Sequence, residues 1–387
     1  MPANRARYNP GMRRRTLSLT IGGLTVALAA AAVMTPTPAV ADRRPDRPIV
    51  DEPLVIGHRG ASGYRPEHTL AAYELAIAQG ADFVEPDLVS TSDGVLVARH
   101  ESEISGTTDV AAHPEFADRR TTKVVDGTAL TGWFTEDFTL AELKTLRAVE
   151  RIPALRPANT TFDGQFEVPT LQEVLDLVAS VNAGRRRSDQ VGVYPETKHP
   201  TYFDSIGLSM EEPLVATLEA NGYDRPNDAV FVQSFETANL RELDGMTRVR
   251  LVQLYSGSGQ PYDFTVAGDP RTYADLATPA GLAEVATYAD GIGPPKGMVV
   301  PVAADGTLGD PTSLVADAHR QGLTVHIYTM RNENSFVPPA LRSSADPAQR
   351  GHVEAEYAAM WAAGIDGVFS DNPDTAVATR AAHLARR

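Results

Sequence analysis

The chain has 387 residues, 42% of them hydrophobic, no cysteine and a formal net charge of −15 at pH 7. A chain this long can bury a large core without covalent staples, and the lack of cysteine excludes disulfides and thiolate-held metals. The acidic balance excludes nucleic acid and anionic membrane as partners held by the bulk field.

The N-terminus stands apart from the rest of the chain. Arg13-Arg14-Arg15, an apolar stretch over 17–34 and Ala39-Val40-Ala41 run in the order basic, apolar, small. That order predicts a signal peptide over 1–41, and hence a secreted or periplasmic protein. Gly22-Gly23 and Thr35-Pro36-Thr37-Pro38 disfavour a transmembrane anchor. Arg14-Arg15 leaves the general secretory and the twin-arginine routes both open. Residues 1–41 hold five arginines and no acid, so cleavage would leave 346 residues with a charge of −20. No later apolar run is long enough to span a bilayer, which predicts no stable membrane insertion. The oligomeric state is left open.

Apolar runs then alternate with helical patterns. Strands are predicted over 54–58, 82–87, 95–100, 191–196, 229–233, 249–254, 290–292, 324–328 and 367–370. Their near-continuous hydrophobicity suits strands buried on both faces. Helices are predicted over 70–79, 140–146, 171–178, 213–220, 239–243, 281–288, 313–320 and 354–363, several with a Thr, Ser or Asn cap before them and Gly after. This alternation predicts one α/β domain over 42–387, a TIM (β/α)8 barrel. A doubly wound open sheet is the alternative, without a Gly-rich dinucleotide fingerprint to support it. Nine strand candidates compete for eight places, and Ser92-Asp93-Gly94 joins two of them by a turn. Residues 101–166 are polar and carry only one helical pattern. They are predicted to be an insertion after the third strand, on the C-terminal face of the barrel.

Charged groups collect at the strand ends, where packing does not explain them. Glu85 and Asp87 are two apart, so on a strand both point to one face. Like charges placed together need a cation or protons between them, and Glu196 ends another strand as a third acid. An all-oxygen set suits Ca²⁺ or Mg²⁺ rather than zinc. His58 and His100 end two further runs and suit proton transfer near neutral pH. Arg59 and Lys198 are candidate phosphate contacts. Gly57 and Gly60 point to close backbone approach or special dihedrals.

The segments Gly57-His58-Arg59-Gly60, Pro66-Glu67-His68-Thr69-Leu70, Glu85-Pro86-Asp87-Leu88, Arg99-His100-Glu101, Tyr194-Pro195-Glu196-Thr197-Lys198, Val232-Gln233-Ser234-Phe235, Ile327-Tyr328-Thr329 and 367–374 occur in a fixed order. Over roughly residues 52–380 the chain resembles the glycerophosphodiester phosphodiesterases, in particular their periplasmic, calcium-dependent branch. The resemblance implies a TIM barrel that hydrolyses a small glycerophosphodiester to sn-glycerol 3-phosphate and an alcohol. It implies His58 and His100 as the acid/base pair, assisted by Arg59. It implies Glu85, Asp87 and Glu196 as ligands of a divalent cation, Ca²⁺ ahead of Mg²⁺. Arg59, Lys198, Glu67, Gln233 and Tyr328 would surround the substrate. Glu101 departs from the Asp usual after the second histidine, and its longer arm could shift a supporting hydrogen bond. Thr197 stands where an aliphatic residue is common. A phospholipase or a teichoic-acid-degrading enzyme on the same barrel is the alternative in the same class. The first would want an exposed apolar rim, and residues 101–166 offer only scattered apolar residues such as Trp133 and Phe134, which argues against it. A non-enzymatic extracellular binding protein is the alternative in another class, and the intact histidines and acids argue against it.

Overall fold

A computed structural model describes residues 52–386. The predicted signal peptide at 1–41 lies outside the described residues. The strands, in chain order, are β1 (Leu54–Gly57), β2 (Phe83–Val84), β3 (Asp87–Ser90), β4 (Leu96–Ala98), β5 (Thr121–Val125), β6 (Thr128–Gly132), β7 (Gly192–Val193), β8 (Glu196–Thr197), β9 (Phe231–Ser234), β10 (Arg250–Leu254), β11 (Gly291–Gly293), β12 (Thr324–Met330) and β13 (Gly367–Ser370).

Eight parallel staves close into a barrel. β13 pairs with β1, β1 with β2, and β2 with β7 through Phe83↔Gly192. β3 pairs with β8 through Asp87↔Glu196, β8 with β9 through Glu196↔Gln233, and the order runs on through β10, β11 and β12 back to β13. β2 and β3 are two parts of one stave, interrupted at Pro86; β7 and β8 are two parts of another, interrupted at Pro195. Proline has no N–H to donate, which breaks the ladder locally. Its carbonyl still accepts: Glu196 N donates to Pro86 O at 3.0 Å and Gln233 N to Pro195 O at 2.9 Å. The ring is therefore closed, and the open-sheet alternative falls.

The predicted strand at 95–100 is corrected. Its observed core, β4, runs antiparallel to β3 (Val89↔Val97) and forms a hairpin arm outside the ring. The link through Ser92-Asp93-Gly94 is too short for the crossover that a parallel neighbour requires. The insertion thus comes after the second stave and its hairpin, and His100 leaves that arm rather than a stave.

All four residues of β1, β3, β9 and β13 are buried, as doubly covered strands should be. Leu54, Ile56, Phe83, Tyr194, Phe231, Val252 and Phe369 fill the barrel interior. Tyr194 and Phe231 stack with centroids 4.8 Å apart. Each such ring contributes about 2 kcal/mol by burial. This aromatic plug makes a rigid floor beneath the strand ends. A second, larger apolar layer lies between staves and helices.

Helix ends obey local sequence signals. Thr69 caps Leu70–Ala78 by accepting from Ala72 N, and Thr170 with Glu173 forms a capping box on Leu171–Asn182. The final helix, Pro373–Leu384, was not expected, although Asn372-Pro373 is an N-terminal helix signature. The insertion is a folded unit. Phe134, Phe138, Leu143 and Leu146 are fully buried in it, and β5 and β6 form a hairpin turning at Asp126-Gly127. Trp133 is buried as well, so neither it nor Phe134 adds to an apolar rim, as their scatter in the sequence suggests. No helix among the described residues is long and apolar enough to cross a membrane.

Candidate active site

The three acids converge. Glu85, Asp87 and Glu196 each offer an oxygen within 4.8 Å of the others, and all three are buried. Glu85 comes directly after β2, while Asp87 and Glu196 begin adjacent segments in direct register. Burial, Asp87 and Glu196 together push the Glu85 carboxyl well above its ordinary range. Burial, opposed by Lys198 and supported by Asp87, raises Glu196 to about 7. Burial also disfavours the Asp87 anion, but His68 and Arg59 outweigh it and hold Asp87 well below its ordinary value. Asp87 Oδ1 is buried with no hydrogen-bond partner. Glu196 Oε1 lies 3.0 Å from Lys198 Nζ, yet outside hydrogen-bond alignment. Mutually destabilised carboxylates with an orphaned oxygen fit a hard divalent cation.

His58 leaves β1 directly and is 6% exposed. Its Nδ1 bonds Asp371 Oδ1 at 2.5 Å, which turns Nε2 toward the acids, 4.0 Å from Glu85 Oε2. Burial, then Arg59, lower its pKa to about 4 against the pull of Asp371. His100 keeps 28% of its side chain open, and its Nδ1 lies 2.7 Å from Glu101 Oε1. Burial, then Arg59 and Lys198, lower it to about 3. Burial and the neighbouring cations thus favour the neutral form of both rings, and in both a carboxylate lies beside Nδ1 and leaves Nε2 available for proton transfer.

Arg59 and Lys198 flank the acids. The Arg59 backbone N–H donates to Glu85 Oε2 at 2.9 Å, and Nη1 donates to Glu67 Oε1 at 3.1 Å. Its Nε lies 3.4 Å from Asp87 Oδ2 and has no hydrogen-bond partner. Burial disfavours both cations, but Glu67 and Asp87 around Arg59, and Glu196 and Asp87 around Lys198, raise both pKa values. Gly60 makes the turn possible: its φ is +86°, and a Cβ there would lie 2.6 Å from the Ala72 carbonyl carbon. A Cβ on Gly57 would meet Ala76 Cβ at 2.8 Å.

Gln233 and Tyr328 also line this end of the barrel. Gln233 Nε2 donates to Glu85 Oε1 at 2.9 Å, so it orients an acid. The Tyr328 hydroxyl donates to Tyr255 O at 2.6 Å, and its ring packs edge-on against Phe235.

Sequence reasoning missed several partners. Asp371 lies in the 367–374 motif without an assigned role, although Ser370-Asp371 ends a strand just as His58 does. His68 bridges Tyr73 and Asp87, at 2.8 and 3.0 Å. Arg156 and Arg151, both from the insertion, reach Asp371 and Glu67. His199 sits between Glu101 and Asp126. Asp126-Gly127, flanked by Thr121–Val125 and Thr128–Gly132, is a two-residue hairpin signature that could have placed Asp126 at a tip. Arg59, His68, Asp126 and His199 are the non-glycine residues with positive φ among the described residues, and all four belong to this cluster.

Comparison with known proteins identifies the family and the fold. Residues 58–375 match the model of the glycerophosphoryl diester phosphodiesterase family. The chain is 37% identical to a glycerophosphodiester phosphodiesterase of Arabidopsis thaliana, covering 92% of this chain and 93% of that one. It is 29% identical to a glycerophosphodiester phosphodiesterase of Haemophilus influenzae, over 92% and 97% of the two chains. The fold matches a structure from Silicibacter pomeroyi DSS-3 with a TM-score of 0.59 at 22% identity, over 86% and 95% of the chains. It also matches an Oleispira antarctica phosphodiesterase solved with its product sn-glycerol 3-phosphate, with a TM-score of 0.54 at 19% identity, over 85% and 96%. The barrel, the ordered motifs and the family match together place this chain in the glycerophosphoryl diester phosphodiesterase family, as an enzyme of that class.

Proposed function

We propose that the enzyme hydrolyses small glycerophosphodiesters to sn-glycerol 3-phosphate and an alcohol, using a divalent cation and the pair His58 and His100. One observation carries this reading. Three buried acids with an orphaned oxygen stand between two cations, Arg59 and Lys198, and beside two imidazoles that each have a carboxylate at Nδ1. Glu85, Asp87 and Glu196 would hold the cation, which when bound neutralises phosphate charge and acidifies a bound hydroxyl. A set of three protein carboxylates favours Ca²⁺ over Mg²⁺, which prefers to keep most of its water.

Arg59 and Lys198 hold the phosphate. Nε2 of one histidine takes the proton of the attacking hydroxyl. Nε2 of the other, protonated beside the bound phosphate anion, returns a proton to the alkoxide as its P–O bond breaks. Water supplies the hydroxyl that replaces the alcohol on phosphorus. The basic, apolar and small-residue order of the N-terminus supports an exported enzyme.

The test is release of sn-glycerol 3-phosphate from glycerophosphocholine by the purified protein, with chelator and then with Ca²⁺ or Mg²⁺ restored. Turnover that survives chelation refutes the cation. Full activity in His58→Ala or His100→Ala refutes the proton-transfer pair.

A further inference from the structure

Three charged side chains of the insertion each stand behind one member of the catalytic cluster. Arg156 Nη2 donates to Asp371 Oδ2 at 2.5 Å, and Asp371 holds His58. Arg151 Nε donates to Glu67 Oε2 at 2.7 Å, and Glu67 holds Arg59. The third path is longer. Asp126 Oδ2 accepts from His199 Nδ1 at 2.6 Å, His199 Nε2 meets Glu101 Oε2 at 2.9 Å, and Glu101 Oε1 meets His100 Nδ1 at 2.7 Å.

The three paths differ in exposure: Arg151, Asp126 and Glu101 keep 33%, 25% and 40% of their side chains open, whereas the Arg156 path is enclosed. Arg156 and Asp371 are 3% and 2% exposed, and Arg156 is fixed further by Glu333 at 2.6 Å and the Ser62 carbonyl at 2.9 Å. His199 has a carboxylate oxygen on each ring nitrogen, so both nitrogens donate and the ring is an imidazolium. It clamps one oxygen of Glu101 and thereby fixes the other for His100. A single carboxylate thus touches both imidazoles, one through each oxygen. The Asp126-Gly127 turn places the hairpin tip here, with Tyr262 3.8 Å from where a Gly127 Cβ would stand.

We propose that the insertion is a positioning device, in which Asp126, Arg151 and Arg156 orient His100, Arg59 and His58 through the Glu101–His199 pair, Glu67 and Asp371. The inference rests on the catalytic roles proposed above for those three groups. It gives the 101–166 segment a task shared with the stave ends: Arg331, directly after β12, and His199, just after β8, reach Asp371 and Glu101 from the barrel, and the insertion supplies the remaining partners. Displacement of the insertion would release all three supports and leave the ring of staves intact.

A crossed experiment tests it. Asp126→Asn and Arg156→Gln are compared with wild type for kcat, KM, melting temperature and the ¹⁵N resonances of the His58 and His100 rings. Asp126→Asn should lower kcat about 10- to 100-fold with KM within about twofold, as loss of an outer-shell partner does. It should shift the His100 resonances and leave those of His58. Arg156→Gln should do the reverse to the two rings, with a smaller fall in kcat because Arg331 still pairs with Asp371 at 2.9 Å. Arg156→Lys should recover part of that loss. Unmoved ring resonances in folded variants overturn the proposal. So does a fall in kcat matched by an equal rise in KM. If wild type hydrolyses no glycerophosphodiester, the catalytic reading fails by itself, and the ring resonances still decide whether the insertion orients the histidines.

Discussion

Replacing Asp371 by Asn tests the orientation of His58 most sharply. The two side chains have nearly the same shape, so the question is which way the amide turns. Oδ2 of Asp371 faces two guanidinium groups, Arg156 at 2.5 Å and Arg331 at 2.9 Å, both donors only. The amide oxygen must turn toward them. Its NH₂ then faces His58 Nδ1, where the carboxylate oxygen now sits 2.5 Å away. A donor there forces Nδ1 to accept and moves the ring proton to Nε2, the nitrogen that has to take a proton during reaction. The equivalent tautomer error in Ser-His-Asp hydrolases costs about 10⁴-fold, or about 5 kcal/mol. Loss of the buried negative charge should cost about 3 kcal/mol of stability as well, at the low end for a broken buried pair because Arg156 retains Glu333. The assay is steady-state release of sn-glycerol 3-phosphate, with thermal unfolding in parallel. Expected are a kcat about 10⁴-fold lower, a KM within threefold, and a lower melting temperature in a folded protein. A kcat within tenfold of wild type refutes the tautomer argument.

The same geometry fixes other outcomes. Gly60→Ala should destabilise by about 3 kcal/mol, measured by urea unfolding, because the new methyl meets the Ala72 backbone at 2.6 Å in a left-handed residue; a loss below about 1 kcal/mol contradicts this. Cation affinity should rise as pH climbs through about 7, because Glu196 must shed its proton to ligate. Calorimetric titration at pH 6 in two buffers should show net proton release, and Glu196→Gln should weaken binding at least about tenfold; no buffer dependence counts against Glu196 as a ligand. Burial disfavours charged His199, but Asp126 and Glu101 outweigh it and raise its pKa to about 9. Its contribution to stability is therefore fully present below about 6.5 and is lost as pH rises through 9. The partly exposed partners screen it to about 1 kcal/mol. Wild type should lose that much relative to His199→Gln between pH 6.5 and 9, and a constant difference refutes the charge assignment.

Much of the barrel was legible because its physics is local. Doubly buried staves are continuous apolar runs, and the helices between them carry Thr caps and terminal glycines. The acids were legible for the same reason: Glu85, Asp87 and Glu196 interrupt apolar runs where nothing apolar is gained. The 95–100 run misled because hydrophobicity reports burial, not direction, and β4 is as buried as any stave. The outer supports were hidden for another reason. Arg156 and Asp371 are 215 residues apart, and Asp126 and His199 are 73 apart. No periodicity links such pairs; only the closed ring brings them together. Asp126-Gly127 and Asn372-Pro373 are different, being short-range signatures that the sequence itself carries.

The left-handed residues around the site carry one more consequence. Each non-glycine in that region holds about 1 kcal/mol of backbone strain, and here Arg59, His68, Asp126 and His199 hold it at φ between 46° and 58°. A glycine at any of them would relax the chain and remove a working side chain together. The pairs that these side chains make offset the strain, so the same contacts that build the site also hold its backbone in the left-handed turns.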